Sequence, residues 1–154
     1  MSLLFFEDFP VGQIREYGDR LVTADEIVVF ARQFDPQSFH LDAEAAKDSQ
    51  AGGLIASGWH TASMLMRMNC DEFLLRSASE GAPGVDEVKW IKPVRPGERL
   101  HVRRTTLSAR GSASRPEIGI LEFLFEVLNA NGETMMSQKN VMFMRRRGSG
   151  EAAA

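Results

Sequence analysis

WHTASMLMRMNCDEFLL, residues 59–75, is the stretch on which the fold turns. Met64, Leu65, Met66 and Met68 put apolar side chains on nearly every face of its first half. A helix that is apolar all round is normally a buried one, so the spacing predicts a central helix over 59–75. After it the pattern changes to β. VDEVKWIKPV (85–94) sets Val85, Val88, Trp90, Ile91 and Val94 among charges and closes on Pro93 and Pro96. ERLHVRRTTLSAR (98–110) alternates Leu100 and Val102, then Arg104 and Thr106, imperfectly. EIGILEFLFEVLNA (117–130) alternates Ile118, Ile120, Phe123, Phe125 and Val127, and ETMMSQKNVMFMRRR (133–147) returns as the last strand. Between the last two, Asn131-Gly132 is a strong two-residue hairpin signal. One buried helix followed by three or four antiparallel strands gives an α+β layer, the helix lying on one face of a strongly curved sheet.

Upstream of the helix, residues 12–22 (GQIREYGDRLV) read as a strand. TADEIVVFARQF follows, with Thr23 as N-cap and Glu26 three residues on, the capping-box arrangement. Ile27, Val28, Phe30 and Ala31 form its apolar face. Asp35-Pro36 ends this helix, because a residue before proline is pushed out of the α region. A loop then leads to His40, and DAEAAKDSQ starts a second short helix with Asp42 as its cap. AGGLIASG, punctuated by Gly52, Gly53 and Gly58, opens the central helix. Residues 148–154 (GSGEAAA) read as a disordered tail, leaving 1–147 as one domain.

Composition bounds the function. A chain of 154 residues is long enough for one core and short for two. A net charge of −3 gives no reason to expect nucleic acid or an anionic membrane as partner. No apolar run approaches the roughly 20 residues that span a bilayer. The start, MSLLFFEDFPVG, lacks the basic, then apolar, character of a signal peptide. The single cysteine, Cys70, excludes an internal disulfide, sits in the helical apolar pattern as a core thiol and fits a reducing compartment. The expectation is a soluble, cytoplasmic protein. His40, His60 and His101 show no metal-ligand spacing, so no metal is expected.

Chemistry enters at FARQFDPQSFHLD, residues 30–42, where Asp35 and His40 stand five residues apart. Taken singly, an aspartate before proline is a good turn former, and a lone histidine is commonly a hydrogen-bonded structural residue. Taken together in one cavity, they form an acid–base couple.

DPQSFH, then Leu41-Asp42, then GGLIASGWHTASML and GVDEVKWIKPVRPGERL resemble the MaoC-like acyl dehydratases, which are similar to the (R)-specific enoyl-CoA hydratases. The likeness runs from about residue 5 to residue 145. The resemblance implies a hotdog fold, a curved antiparallel sheet wrapped around the central helix. It also implies a lyase that hydrates a trans-2-enoyl-CoA, with Asp35 and His40 catalytic. Two details depart from the family pattern, which commonly reads Asp-x-Asn-Pro-x-His. Gln37 and Ser38 stand where asparagine and proline would, and Ser57 precedes Gly58 where a histidine is common, the histidine here being His60. The pair is intact, and the substrate subclass is left open.

Such a hydration needs a base for the attacking water, a proton for C2 and a partner for the thioester oxygen. Asp35 would be the base, its pKa raised by partial burial, and His40 would hold the water and relay its proton. The N–H of Gly58, at the positive end of the central helix, would meet the oxygen, and glycine there would let a bulky thioester approach. Gln37 would orient a neighbour, and His60 and Ser63, within the helix's first turn or so, would line the pocket. Lys89, Lys92 and Arg95 are candidates for the phosphates of coenzyme A, which enters only as part of the substrate; no other cofactor is expected. The alternatives are a hotdog thioesterase, disfavoured because 59–70 holds no carboxylate, and a non-catalytic acyl-binding subunit, disfavoured because the pair is present. One curved sheet on one helix leaves an apolar rim that proteins normally cover, so at least a homodimer is expected.

Overall fold

Alternation of apolar and polar residues, read as strands above, builds the sheet of the computed structural model, which describes residues 2–149. Its strands are β1 (Ile14–Leu21), β2 (Glu87–Trp90), β3 (Arg99–Gly111), β4 (Ile118–Leu128) and β5 (Thr134–Arg145). They form one sheet of five strands in the order β1-β3-β4-β5-β2, every neighbouring pair antiparallel. Along β4, Leu121, Phe123, Phe125 and Val127 are fully buried while the residues between them are only half-buried. Burial of each such phenylalanine contributes about 1.5–3 kcal/mol. Register shifts between Tyr17 and Arg20 in β1 and between Thr106 and Ser108 in β3 mark bulges, and bulges bend and twist the strand that carries them.

The helices are α1 (Ala24–Phe34), α2 (Ser38–Leu41), α3 (Ala43–Ala46) and α4 (Gly58–Glu72), with 3-10 turns at Phe6–Asp8 and Leu74–Arg76. Met64, Leu65 and Met68 of α4 share one core with Val102, Phe123, Phe125 and Met136 of the sheet. A central helix cradled in a curved antiparallel sheet is the α+β hotdog fold.

Several local expectations are corrected. Thr23 caps α1 by accepting the Glu26 N–H at 3.2 Å, but the Glu26 carboxylate turns to Arg20 at 3.2 Å instead of completing the box. His40 sits on the helical turn α2, not in a loop, and the helix capped by Asp42 lasts only through Ala46. The Asn131-Gly132 connection is not a two-residue turn. Residues 129–133 form the loop, because the Asn129 side-chain oxygen accepts the N–H groups of Asn131 and Glu133 at 3.0 and 2.9 Å. A type I′ turn needs positive φ at both central residues, and here Gly132 has it and Asn131 does not.

The central helix is also not buried all round. Trp59 is 60% exposed and Met66 49%, and Cys70 is only half-buried. One sheet covers one side of a helix, so the Met66 side of α4 faces away from the core. Of the expected tail, Gly148 and Ser149 continue a turn after β5, and residues 150–154 lie outside the described residues. No described helix is long and apolar enough to cross a membrane.

Candidate active site

Asp35 is the C-cap of α1, placed there by the helix stop that Pro36 enforces. Its backbone N–H still bonds to the Ala31 carbonyl at 2.9 Å, which fixes the side chain at the helix end. One short helical turn later, His40 points back, and its Nε2 lies 3.3 Å from Asp35 Oδ2. His40 is 4% exposed, and its ring packs edge-on against Phe39. Its Nδ1 lies 2.7 Å from the Ile55 carbonyl oxygen. A carbonyl can only accept, so Nδ1 carries the hydrogen and Nε2 is the nitrogen left for chemistry.

The carboxylate is held from three sides. Ser57 donates its hydroxyl to Oδ2 at 2.6 Å, and Gln37 donates its side-chain N–H to Oδ1 at 2.7 Å. Burial pushes the Asp35 carboxyl up and is the largest single influence on it, but the bonds from Ser57 and Gln37 and the charge of His40 together outweigh it, so its pKa is lowered. The expected elevation is therefore reversed. Two donors aimed at the ionised form favour that form more than partial burial disfavours it.

Ser57 is fully buried and also caps α4, its oxygen accepting the Trp59 N–H at 3.3 Å. Gly58 opens the helix, so its N–H has no acceptor one turn back within the helix. What lies on its bare Cα is the indole of Trp90: a Cβ there would come within 2.5 Å of that ring. Trp90 also donates its indole N–H to the Gly58 carbonyl at 2.9 Å and meets Trp59 edge-on. Glycine is thus required by the chain's own tryptophan, a nearer demand than the substrate approach expected from the sequence.

Asp35, Gln37, His40, Gly58, Trp59 and Trp90 line one cavity of about 380 Å³. A larger groove of about 700 Å³ beside Leu3, Phe5 and Ala78 gathers no such pair, and its Glu80 and Arg145 bond to each other. Two expected lining residues lie elsewhere. At 100° per residue, positions 60 and 63 fall about 200° and 140° round the helix from Gly58. His60 is buried against Phe30, stacked at 4.8 Å, and Ser63 is exposed and bonds to the Trp59 carbonyl. The three candidate cations are engaged: Lys89 with Glu87, Lys92 with Glu133, and Arg95 with the Ala51 carbonyl. Among the described residues, no group of three or more His, Cys, Asp or Glu could hold a metal ion.

Ser57 and Trp90 belong to the site without having been expected there. For Ser57 a signal existed, since serine directly before a helix-opening glycine is a favoured N-cap. Nothing local could pair Trp90 with a glycine 32 residues upstream.

A family model described as a MaoC like domain matches residues 8–116, most of the chain and all of the elements that carry the pair. The chain belongs to the MaoC-like family. A MaoC-like dehydratase from Rhodospirillum rubrum superposes with a TM-score of 0.83 at 40% identity, covering 94% of this chain and 98% of that one. The uncharacterized protein YdeM of Bacillus subtilis is 30% identical over 123 residues, 80% of this chain and 86% of its own. An (R)-hydratase from A. caviae involved in PHA biosynthesis shares the fold, with a TM-score of 0.71 at 20% identity over 88% of this chain and 97% of that one. The family model and the 40%-identical structure together place the protein among the MaoC-like dehydratases.

Proposed function

We propose that this protein reversibly hydrates a trans-2-enoyl-CoA to a 3-hydroxyacyl-CoA, with Asp35 and His40 as the catalytic pair. The observation that carries the reading is the 3.3 Å approach of His40 Nε2 to Asp35 Oδ2 inside one cavity, with Nδ1 fixed by Ile55. In the neutral imidazole, two lone pairs face each other across that gap. A water donating one hydrogen to each relieves the repulsion and turns its oxygen toward the cavity.

Asp35 is a poor resting place for the proton, because its hydrogen bonds favour the carboxylate. An imidazole is in general the stronger base. As the water oxygen bonds to C3, its proton therefore passes to Nε2, and ionised Asp35 steadies the imidazolium. The π electrons of C2=C3 move to the thioester oxygen, which the Gly58 N–H meets at the positive end of α4. The resulting enolate collapses as C2 takes the proton back from His40. Acyl transfer to water fits less well, since the carboxylates of α4, Asp71 and Glu72, lie about 20 Å along the helix from Gly58. The exposed Trp59, Met66, Val29 and Phe34 support association into at least a homodimer.

The test is a spectrophotometric screen of the purified protein against 2-enoyl-CoA esters of differing chain length and branching. Loss of the conjugated enoyl absorbance with formation of the 3-hydroxyacyl ester is the expected result. Release of free coenzyme A, or no turnover across the panel, would overturn the reading.

A further inference from the structure

At the other end of α4 lies a charge that the reaction does not use. The inward positions of β3 are Leu100, Val102, Arg104 and Thr106, all buried. Arg104 is 4% exposed, and a guanidinium does not shed its charge in a protein. Its central carbon lies 4.7 Å from the ring centre of Phe73, 4.8 Å from Phe9 and 5.4 Å from Phe123. These rings stabilise the cation through their faces, but they leave its in-plane N–H donors unanswered. Nη2 donates to Gln13 Oε1 at 3.0 Å, and the buried Nε has no partner.

No described carboxylate forms an ion pair with Arg104. The two acids nearby are occupied: Asp8 takes Arg147 at 2.7 Å and the Phe5 N–H at 2.8 Å, and Glu72 faces Arg76 at 3.9 Å. Tyr17 supplies no phenolate, since its hydroxyl donates to Asn69 at 2.7 Å and burial pushes its pKa up. Arg104 instead lines a cavity of about 230 Å³ with Arg15, Arg76, Gln13, Asp8 and Glu72. Three guanidinium groups against two carboxylates leave that cavity net positive. Glu72 favours the Arg104 cation from a distance without an ion pair to it, a buried charge so placed is costly, and the donors that remain have the planar geometry that suits a carboxylate or phosphate.

We propose that this cavity, about 21 Å along α4 from Gly58, binds a small oxyanion, a carboxylate or a phosphate group, with Arg104 as its principal ligand. The site is separate from the catalytic cavity, and it does not depend on the reaction assigned there.

Thermal unfolding of the full chain in sodium phosphate, sodium acetate and sodium chloride at matched ionic strength tests it. A saturable rise in Tm with phosphate or acetate, beyond that in chloride, is expected, and the more effective of the two tells a phosphate ligand from a carboxylate. Arg104→Met should remove the saturable part. Should that variant not fold, Arg15→Gln with Arg76→Gln, both outside the core, should raise the anion concentration at half-saturation by about 10²-fold, the loss of two charge-assisted hydrogen bonds. Equal responses to all three salts in the wild type would overturn the proposal. An undiminished phosphate or acetate response in the folded variants would do the same.

Discussion

The two ends of α4 each hold a buried or half-buried charge, and they treat it differently. At the N-terminal end, the Asp35 carboxylate accepts from Ser57 and Gln37 and faces His40. At the C-terminal end, the Arg104 guanidinium has three rings, one acceptor and a cavity. The first charge is satisfied by side chains that lock its geometry, as the water-holding role proposed for it would require. The second is held firmly from its faces and left open in its plane. Polar groups tied on all sides by protein mark where the chain sets the chemistry, and donors left over mark where something else completes it.

The largest effects are expected from breaking the satisfied end. Asp35→Asn and His40→Ala should each slow hydration by about 10²–10⁴-fold, the range for a lost acid–base group, with the far-ultraviolet dichroism unchanged. Wild-type turnover in either variant would remove the pair from the chemistry. Gly58→Ala should come next, at about 10²-fold, because its Cβ forces the Trp90 indole off the helix start and misplaces the cavity wall. Adding Trp90→Phe to that variant makes room and should recover part of the rate; if the double variant is no better, the indole is not what Gly58 accommodates.

Ser57→Ala sharpens the comparison by loosening the carboxylate without deleting it. Loss of the cap should cost about 1–2 kcal/mol in denaturant unfolding. With one donor gone, burial weighs more on Asp35, so its carboxyl should titrate at higher pH, as carbon-13 NMR of the side chain would read. An unmoved Asp35 titration would mean that Ser57 serves α4 alone. The smallest effect concerns His60, whose pKa is lowered chiefly by burial. The unfolded chain then takes up this proton before the folded one does. Stability from this group is full above the ordinary histidine pKa of about 6.5 and declines below it, by at most about 1.4 kcal/mol per pH unit. His60→Leu should flatten that part of the stability profile, and an equal slope in both proteins would assign the acid sensitivity elsewhere.

How much of this was legible in the sequence differs between the ends. Strand periodicity gave β3, β4 and β5, and the proline after Asp35 gave the helix stop, because both signals are local. Arg104 looked like a fault in the alternation of β3. It is an inward position like Leu100 and Val102, so the pattern held and only the residue type was unusual. The depressed pKa of Asp35 was not legible, since it depends on Ser57, 22 residues away. Burial of α4 was overstated for a related reason: periodicity counts apolar faces, and it does not count the layers available to cover them. The resemblance carried Asp35 and His40 as a pair, whereas His60 and Ser63 were placed by proximity along the chain, which a helix converts into opposite sides.

The chain has two tryptophans, and Trp59 and Trp90 meet edge-on at the mouth of the catalytic cavity. All of the indole fluorescence therefore arises from one end of the molecule. An acyl thioester entering beside Gly58, as proposed, should displace solvent from both rings and alter their emission, whereas an anion at the proposed Arg104 site should leave it unchanged. The protein carries its own optical reporter, one that watches the catalytic end and is blind to the other. Titrations followed by emission and by melting temperature can then be assigned to separate ends without attaching a dye.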